Sequence, residues 1–262
     1  MVKSLLFRAN SYLRHYLHAV DEHSLHTPYL YKLYTEVLKP RHPCPNPLFD
    51  SLYTAALRDQ SHIEVEDHGA GSQKTTGTTR SIADITRYSS SPRRFARLLA
   101  RLADDMQAMH VLELGSSLGF TSMHLRGSQP GRRLITFEGA PAIAARAKAH
   151  FEAAGCADID LRIGPLHYEL SRYLEQSAPI DLVYMDAHHT AEATMRYFSW
   201  LEPYLHENSI VVIDDIYWSE DMHDGWKRLC NHERVVVSAD LFEAGFLFFN
   251  PGLQRQHLLL SY

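Results

Sequence analysis

The chain has 262 residues, 45% of them hydrophobic and 22% charged, and a net charge of −5 with histidine neutral. That suits a soluble core domain with an appendage and argues against a protein that grips a nucleic-acid backbone, which would carry a basic excess. Three cysteines, Cys44, Cys156 and Cys230, form no CxxC pair. They argue against a zinc knuckle or a disulfide framework and fit a reducing, cytoplasmic setting. No apolar run has the length needed to span a bilayer.

Residues up to about 60 read as helical. "SLLFRANSYLRHYL" and "PYLYKLYTEVL" carry apolar residues at helical spacing, and "KPRHPCPNP" breaks them from a short helix, "LFDSLYTAALRD". His15, His18, His23 and His26 read as the polar faces of these helices rather than as metal ligands. After a short strand, "DHGAGSQKTTGTTR" has the composition of a long loop, which is uncommon without a function or disorder. In "SIADITRYSSSPRRFARLLARLADDM" the helical pattern returns, with Ser91 expected as N-cap and Pro92 as the first helical residue.

From His110 short apolar runs alternate with helical stretches. The expected strands are "HVLEL", "RLITFE", "DIDLRI", "IDLVYMD", "SIVVID", "RVVVSADL" and "GFLFFN". Helices between the first six point to a parallel α/β sheet covered on both faces. The "FEA" link before the seventh strand is too short for a parallel crossover, so that strand should run antiparallel to the sixth.

Ligands of open α/β sheets bind at the carboxyl ends of the strands. Four such ends carry chemistry. "LELGSSLGFTS" offers Glu113, Gly115, Ser116, Ser117 and Gly119 at a strand-to-helix turn, without the middle glycine of a dinucleotide loop. "TFEGA" places Glu138 and Gly139 where an acid can bind two ribose hydroxyls. "VYMDAHHT" ends a strand on Asp186 and follows it with His188 and His189. "SIVVIDDIYWS" ends on Asp214 and Asp215. Three converging carboxylates would repel one another, and a divalent ion with oxygen ligands would relieve that. The alternative is that Asp215 caps the next turn and no metal binds.

Together these motifs, from His110 to Asn250, resemble class I S-adenosylmethionine-dependent methyltransferases. The likeness is to the catechol and caffeoyl-CoA O-methyltransferase branch and its bacterial relatives. The resemblance implies a seven-stranded Rossmann-like sheet of order 3-2-1-4-5-7-6, the last strand antiparallel, over residues 91–262. Residues 1–90 would then be a helical extension and lid loop that covers substrate or builds a homodimer. It also implies a cofactor site. Glu113 and Gly115 would line the methionine part of S-adenosylmethionine, with Ser116 and Ser117 beside them, and Gly119 would allow close approach. Glu138 and Gly139 would meet the ribose, and Gly164 and Leu166 of "RIGPL" would flank the adenine, with Asp186 on the cofactor side. Where the family often has an acid after that glycine, this chain has Pro165, so the acid's contact to the adenine amino group is lost.

In the metal-dependent branch Asp186, Asp214 and Asp215 match the ligands of Mg²⁺ or Mn²⁺, with Asp215 in place of asparagine. His189 stands where catechol-type enzymes have lysine. Related bacterial sugar and natural-product enzymes have histidine there, and an imidazole can serve as base for a hydroxyl. His188 is expected to point elsewhere. Trp226 is expected to pack a helix, and Trp218 to wall the acceptor pocket. The expected activity is methylation of a hydroxyl on a small molecule, with no nucleic-acid partner. Other readings are an N-methyltransferase or macromolecule-directed enzyme, a nicotinamide-dependent oxidoreductase, or an inactive fold serving as a binding protein. The chain lacks the Asn/Asp-Pro-Pro-Tyr/Phe motif of the common amino-directed class and the Tyr-x-x-x-Lys pair of the oxidoreductases.

Overall fold

The computed structural model describes residues 2–40, 45–65 and 79–262. The glycines and Lys74 of the 66–78 stretch, and Cys44, lie outside them. The chain forms two compact units, one of Met1–Arg41 with Ser177–Tyr262 and the other of His42–Gln176. Among the described residues no helix is long and apolar enough to cross a membrane.

The first segment holds α1 (Val2–His18) and α2 (Pro28–Lys32), which runs into a π-helical turn at Leu33–Leu38. Thr27 caps α2 by accepting from Leu30 N, with Pro28 at the first helical position, where its missing N–H costs nothing. Tyr34 is buried and donates to Ser261 O at 2.5 Å, and Val20 bridges Leu260. The two ends of this unit's chain are thus tied together.

The central unit contains α3 (Pro47–Ala56), a small antiparallel pair β1 (His62–Glu64) and β2 (Thr79–Ser81), α4 (Ile82–Tyr88) and α5 (Arg93–Asp105). Helix α5 buries Phe95, Leu98, Leu99 and Leu102, the spacing of one helical face. It opens at Arg93 with Pro92, not Ser91, at the cap. Pro92 has ψ 140°, outside the helical range, so the first turn starts one residue later than expected. The unit continues as β3 (His110–Leu114), α6 (Phe120–Arg126), β4 (Arg133–Glu138), α7 (Pro141–Ala153), β5 (Asp160–Ile163) and α8 (Leu166–Leu174). Strand β4 lies between β3 and β5, all parallel, which is the expected order 3-2-1.

The chain then returns to the first unit with β6 (Ile180–Met185), α9 (Ala191–Leu201), β7 (Leu205–Asp214), α10 (Glu220–Cys230), β8 (Val237–Asp240), β9 (Ala244–Phe248) and β10 (Gln256–Leu259). Strands β6 and β7 are parallel, and β9 pairs antiparallel with both β7 and β8. This is the expected 4-5-7-6, with the seventh strand antiparallel to the sixth. An eighth strand was not expected: β10 adds parallel to β8 at Gln256–Leu259. It is only partly buried, and Gln256 and His257 leave it no apolar run of the kind that marks the neighbouring β8 and β9. Between them the units carry the eight strands of a mixed, mostly parallel α/β fold. Trp226 is buried, as expected, against β9. A Cβ on Gly245 would sit 2.5 Å from its ring, so that strand position must be glycine.

Candidate active site

In the central unit β3 runs straight into the glycine loop. Gly115 has φ 100° and Ser117 φ 47°, left-handed geometry that turns the chain sharply out of the strand. Backbone N–H groups of Gly115 and Ser116 both donate to Phe137 O, which binds the loop to the end of β4. Glu138 completes the clamp: one carboxylate oxygen accepts from Ser117 N and the other from Ala140 N, both at 2.9 Å. Glu113 is fully buried and accepts from the hydroxyls of Ser122 and Thr136, the latter at 2.6 Å. Gly119 has φ 81°, and a Cβ there would lie 2.4 Å from the Phe151 ring. Close helix packing therefore demands this glycine, a reason distinct from ligand approach.

Within this satisfied loop, the Oγ atoms of Ser116 and Ser117 are buried with no hydrogen-bond partner among the described residues. A buried hydroxyl without a partner is costly, and a polar ligand would relieve it. A carboxylate such as that of Glu138 is an acceptor of the kind that a ribose hydroxyl needs. Gly139 follows in the bend before α7. Gly164 has φ 146° and donates to Glu138 O, and Leu166 is buried at the start of α8. Pro165 precedes that helix without a side-chain cap bond. One turn on, Glu169 packs over Gly164, its Cγ 3.3 Å from where a Cβ would be.

In the other unit the acidic residues sit at the ends of β6 and β7. Tyr184 donates to Asp214 at 2.9 Å. Burial, reinforced by the charges of Asp186 and Asp215, pushes Asp214 well above the ordinary carboxylate range. Burial also raises Asp186, against the pull of His189 and with the push of Asp215. His189 Nε2 is 3.5 Å from Asp186 Oδ1, and its ring lies 5.9 Å from that of Trp218. Both His188 and His189 have positive φ, 64° and 34°, so the turn after β6 is strained. His188 turns to α9, its Nδ1 3.3 Å from the Tyr197 hydroxyl.

Asp215 also has positive φ, 52°, and its carboxylate stands 3.9 Å from the Arg8 guanidinium, which lies over the Trp218 ring. Three aspartates offer the hard oxygens that Mg²⁺ or Mn²⁺ prefers. Among the described residues, however, no three His, Cys, Asp or Glu side chains are grouped so as to hold a metal ion. Asp215 stands near Arg8 and Asp214 accepts from Tyr184, so two of the three expected ligands also have protein partners.

Arg8 and Tyr184 were not anticipated. Arg8 belongs to a helix far away in sequence, and nothing local marks it. Tyr184 alternates with Asp186 on β6, so the period of the strand could have shown that both leave on one side.

Residues 112–216 match the family model described as a methyltransferase domain. That segment of the chain is similar to a methyltransferase domain. Two catechol O-methyltransferases are related to it. That of Mycobacterium tuberculosis is 32% identical over 122 residues, 46% of this chain and 54% of the relative. That of Niastella koreensis is 30% identical over 126 residues, 47% and 55% of the two chains. The chain thus spans about half the length of the curated relatives it matches. Its fold is shared by the O-methyltransferase TomG of Streptomyces achromogenes in complex with SAM, at TM-score 0.54 and 21% identity over 62% of this chain and 82% of that one. It is shared too by an O-methyltransferase of Bacillus cereus in complex with SAH, at 0.58 and 15% over 81% and 94%. The matched segment runs from the glycine loop to both acidic strand ends, and the similarity is to methyltransferases, as the strand-end motifs led one to expect.

Proposed function

We propose that this methyltransferase transfers the methyl group of S-adenosylmethionine to a hydroxyl of a small molecule. The observation that carries the reading is the glycine loop: closed on itself by Glu138, it leaves two buried serine hydroxyls in need of a polar partner. The relatives named catechol O-methyltransferase support an oxygen acceptor. Residues 91–262 would form the catalytic domain, and residues 1–90 would select the substrate or build an assembly.

When bound, S-adenosylmethionine supplies an electrophilic methyl on a sulfonium. Gly115, Ser116 and Ser117 would hold its amino-acid end, Glu138 would accept from its ribose hydroxyls, and Gly164 and Leu166 would flank its base. Glu113 acts through the loop, holding Ser122 and Thr136 so that β3 and α6 keep their angle. His189 receives the proton of the acceptor hydroxyl. With Nε2–H directed at Asp186, the lone pair is on Nδ1, and the Asp186 charge stabilises the imidazolium that forms. Trp218 flanks the base with an apolar face that keeps water from competing. No step here is routed through a metal.

Calorimetry with S-adenosylmethionine, its demethylated product and NAD tests the cofactor. Binding of the first two and not the third is expected; failure of both to bind ends the reading. Titrating Mg²⁺ into the wild type and Asp214→Ala tests the metal directly. Saturable binding lost in the variant would restore the ion to this site.

A further inference from the structure

Helix α10 carries two stripes. Met222, Trp226 and Leu229 are buried in the core, as the apolar face of a sheet-covering helix should be. Beside them His223, Lys227 and Cys230 fall, at about 100° per residue, within an arc of about 60°. This second stripe faces the edge of the sheet. With β8 and β10 it lines a cavity of about 480 Å³, within the ~300–1,000 Å³ of small-molecule pockets. The strands answer it with polar groups. Ser238 and His257 are register partners on neighbouring strands, and Asp240 follows Ser238 on the same side. A helix–sheet seam normally joins apolar faces, because polar groups taken from water must find partners. Here polar walls stand apart around a space. The cavity shares no lining residue with the acidic strand ends: Asp186, His189, Asp214, Asp215 and Trp218 all lie outside it.

The partners of these groups decide what the cavity can take. Burial pushes the Cys230 thiol up to about 12, so it keeps its proton and donates to the hydroxyl of Ser238. That hydroxyl is left to donate to His257 Nδ1, 2.8 Å away, which fixes the ring's proton on Nε2. Burial lowers the pKa of the ring, so the relay ends on a neutral imidazole. Its Nε2–H meets no acceptor among the described residues, and the side chain is exposed. Lys227 adds an ammonium. Its pair with Asp224, at 2.6 Å, joins two side chains that are more than half exposed, and such pairs hold weakly. Arg255 adds a second cation, which meets three backbone carbonyls at the end of α10. The one acid among the lining residues, Asp240, is already engaged. It accepts from Tyr217 at 2.7 Å and from Phe242 N at 2.8 Å, and lies 3.4 Å from His15 Nε2. Trp226, Val236 and Leu259 supply the apolar part of the wall.

We propose that this cavity binds a small carboxylic acid with a flat apolar body, its carboxylate held by His257 Nε2–H and the Lys227 ammonium and its body against Trp226. An outward N–H beside an ammonium is a donor set for an anion. The chain carries −5 overall, so this positive rim is a local feature of the cavity. A metal ion is not the occupant, since among the described residues no three His, Cys, Asp or Glu side chains are grouped to hold one. Binding is non-covalent, because a thiol that keeps its proton is no nucleophile. The apolar wall selects an organic acid over a bare inorganic anion.

Proton–nitrogen NMR of the full chain, labelled on its three tryptophans, tests this with benzoate as the probe. Benzoate should shift the Trp226 indole signal saturably, with a Kd of about 1 mM for so small a molecule. Benzyl alcohol, which keeps the ring and lacks the charge, should bind at least about tenfold more weakly. Lys227→Glu and His257→Phe should each weaken benzoate at least about tenfold, and Lys227→Arg should retain it. Both side chains are exposed, so the variants should fold, with circular dichroism spectra like that of the wild type. Equal binding of benzyl alcohol, or benzoate binding untouched by either variant, overturns the proposal. So does inorganic phosphate that displaces benzoate at equal concentration, since the site would then take a bare anion. A benzoate shift at Trp218 with none at Trp226 overturns it too, because the acid would then bind at the acidic strand ends.

Discussion

The glycine loop of the central unit and the acidic strand ends of the other unit both place carboxylates at the carboxyl edge of parallel strands, but they treat them differently. Glu113 and Glu138 are each met by N–H or O–H donors: two backbone amides hold Glu138, two hydroxyls hold Glu113. At the ends of β6 and β7, burial first and the neighbouring carboxylate charges second raise Asp186 and Asp214 above the ordinary carboxylate range. The first arrangement is a rigid cradle built before any ligand arrives. The second is held under electrostatic strain, as groups that handle protons or charged intermediates often are. Carboxylates at strand ends therefore say little until their donors are counted.

The largest test separates the two by what each loses. His189→Ala should lower turnover by about 10²–10⁴-fold, the usual contribution of a positioned base, and leave cofactor affinity unchanged. Glu138→Ala should do the reverse, weakening cofactor binding measured by calorimetry. If His189→Ala abolishes cofactor binding, the histidine is part of the scaffold and the division of labour fails.

Buried histidines give the units opposite responses to pH. Burial, aided by the Arg97 charge, pushes His124 of the central unit down to about 4. The unfolded chain then binds its proton first, so the stability tied to His124 is complete above about 6.5 and is lost as pH falls toward 4, by about 3 kcal/mol in all. Burial pulls His15 down too, but its hydrogen bonds to Asp240 and the Asp240 charge outweigh that and raise it. Its contribution is complete below about 6.5 and is lost as pH rises through the raised value. Urea unfolding of wild type, His124→Gln and His15→Gln across this range should show the first variant less acid-sensitive than wild type. The second should lose its deficit at alkaline pH. Equal slopes in all three would show that neither ring titrates as described.

Next comes the cradle itself. Glu113→Gln weakens the acceptor shared by Ser122 and Thr136 in a fully buried place, and should cost about 1–3 kcal/mol in urea unfolding. A neutral outcome would mean that Glu113 is held there for its ligand rather than for the loop.

Much of this was legible in the sequence because alternation of short apolar runs with helical stretches is a strong, local signal. All seven expected strands formed, and "FEA" alone foretold that β9 runs against β8. Glu138 was found for its position at a strand end, though its two backbone amide partners depend on a loop that sequence does not fold. What escaped was non-local or weak. Arg8 reaches Asp215 across most of the chain's length, and β10 is a short edge strand with little apolar pattern.

The smallest expected effect has the opposite sign from its counterpart in the cradle. Asp214 is raised well above its ordinary value, so the folded state holds a proton that the unfolded state releases; the stability tied to it is complete below about 4 and is lost as pH rises through the raised value. At neutral pH the ionised form is a cost, and Asp214→Asn removes it while keeping an oxygen to accept from Tyr184. The variant should therefore be more stable than wild type by about 0.5–2 kcal/mol, the scale of relief at a strained functional site, and catalytically poorer. The gain should shrink on acidification, as wild-type Asp214 takes up its proton. Differential unfolding at two pH values with and without Mg²⁺ reads all of this at once. If Asp214→Asn destabilises the protein in Mg²⁺ but not in its absence, the acidic ends are balanced by a cation; if it destabilises in both, Asp214 is no more strained than Glu113.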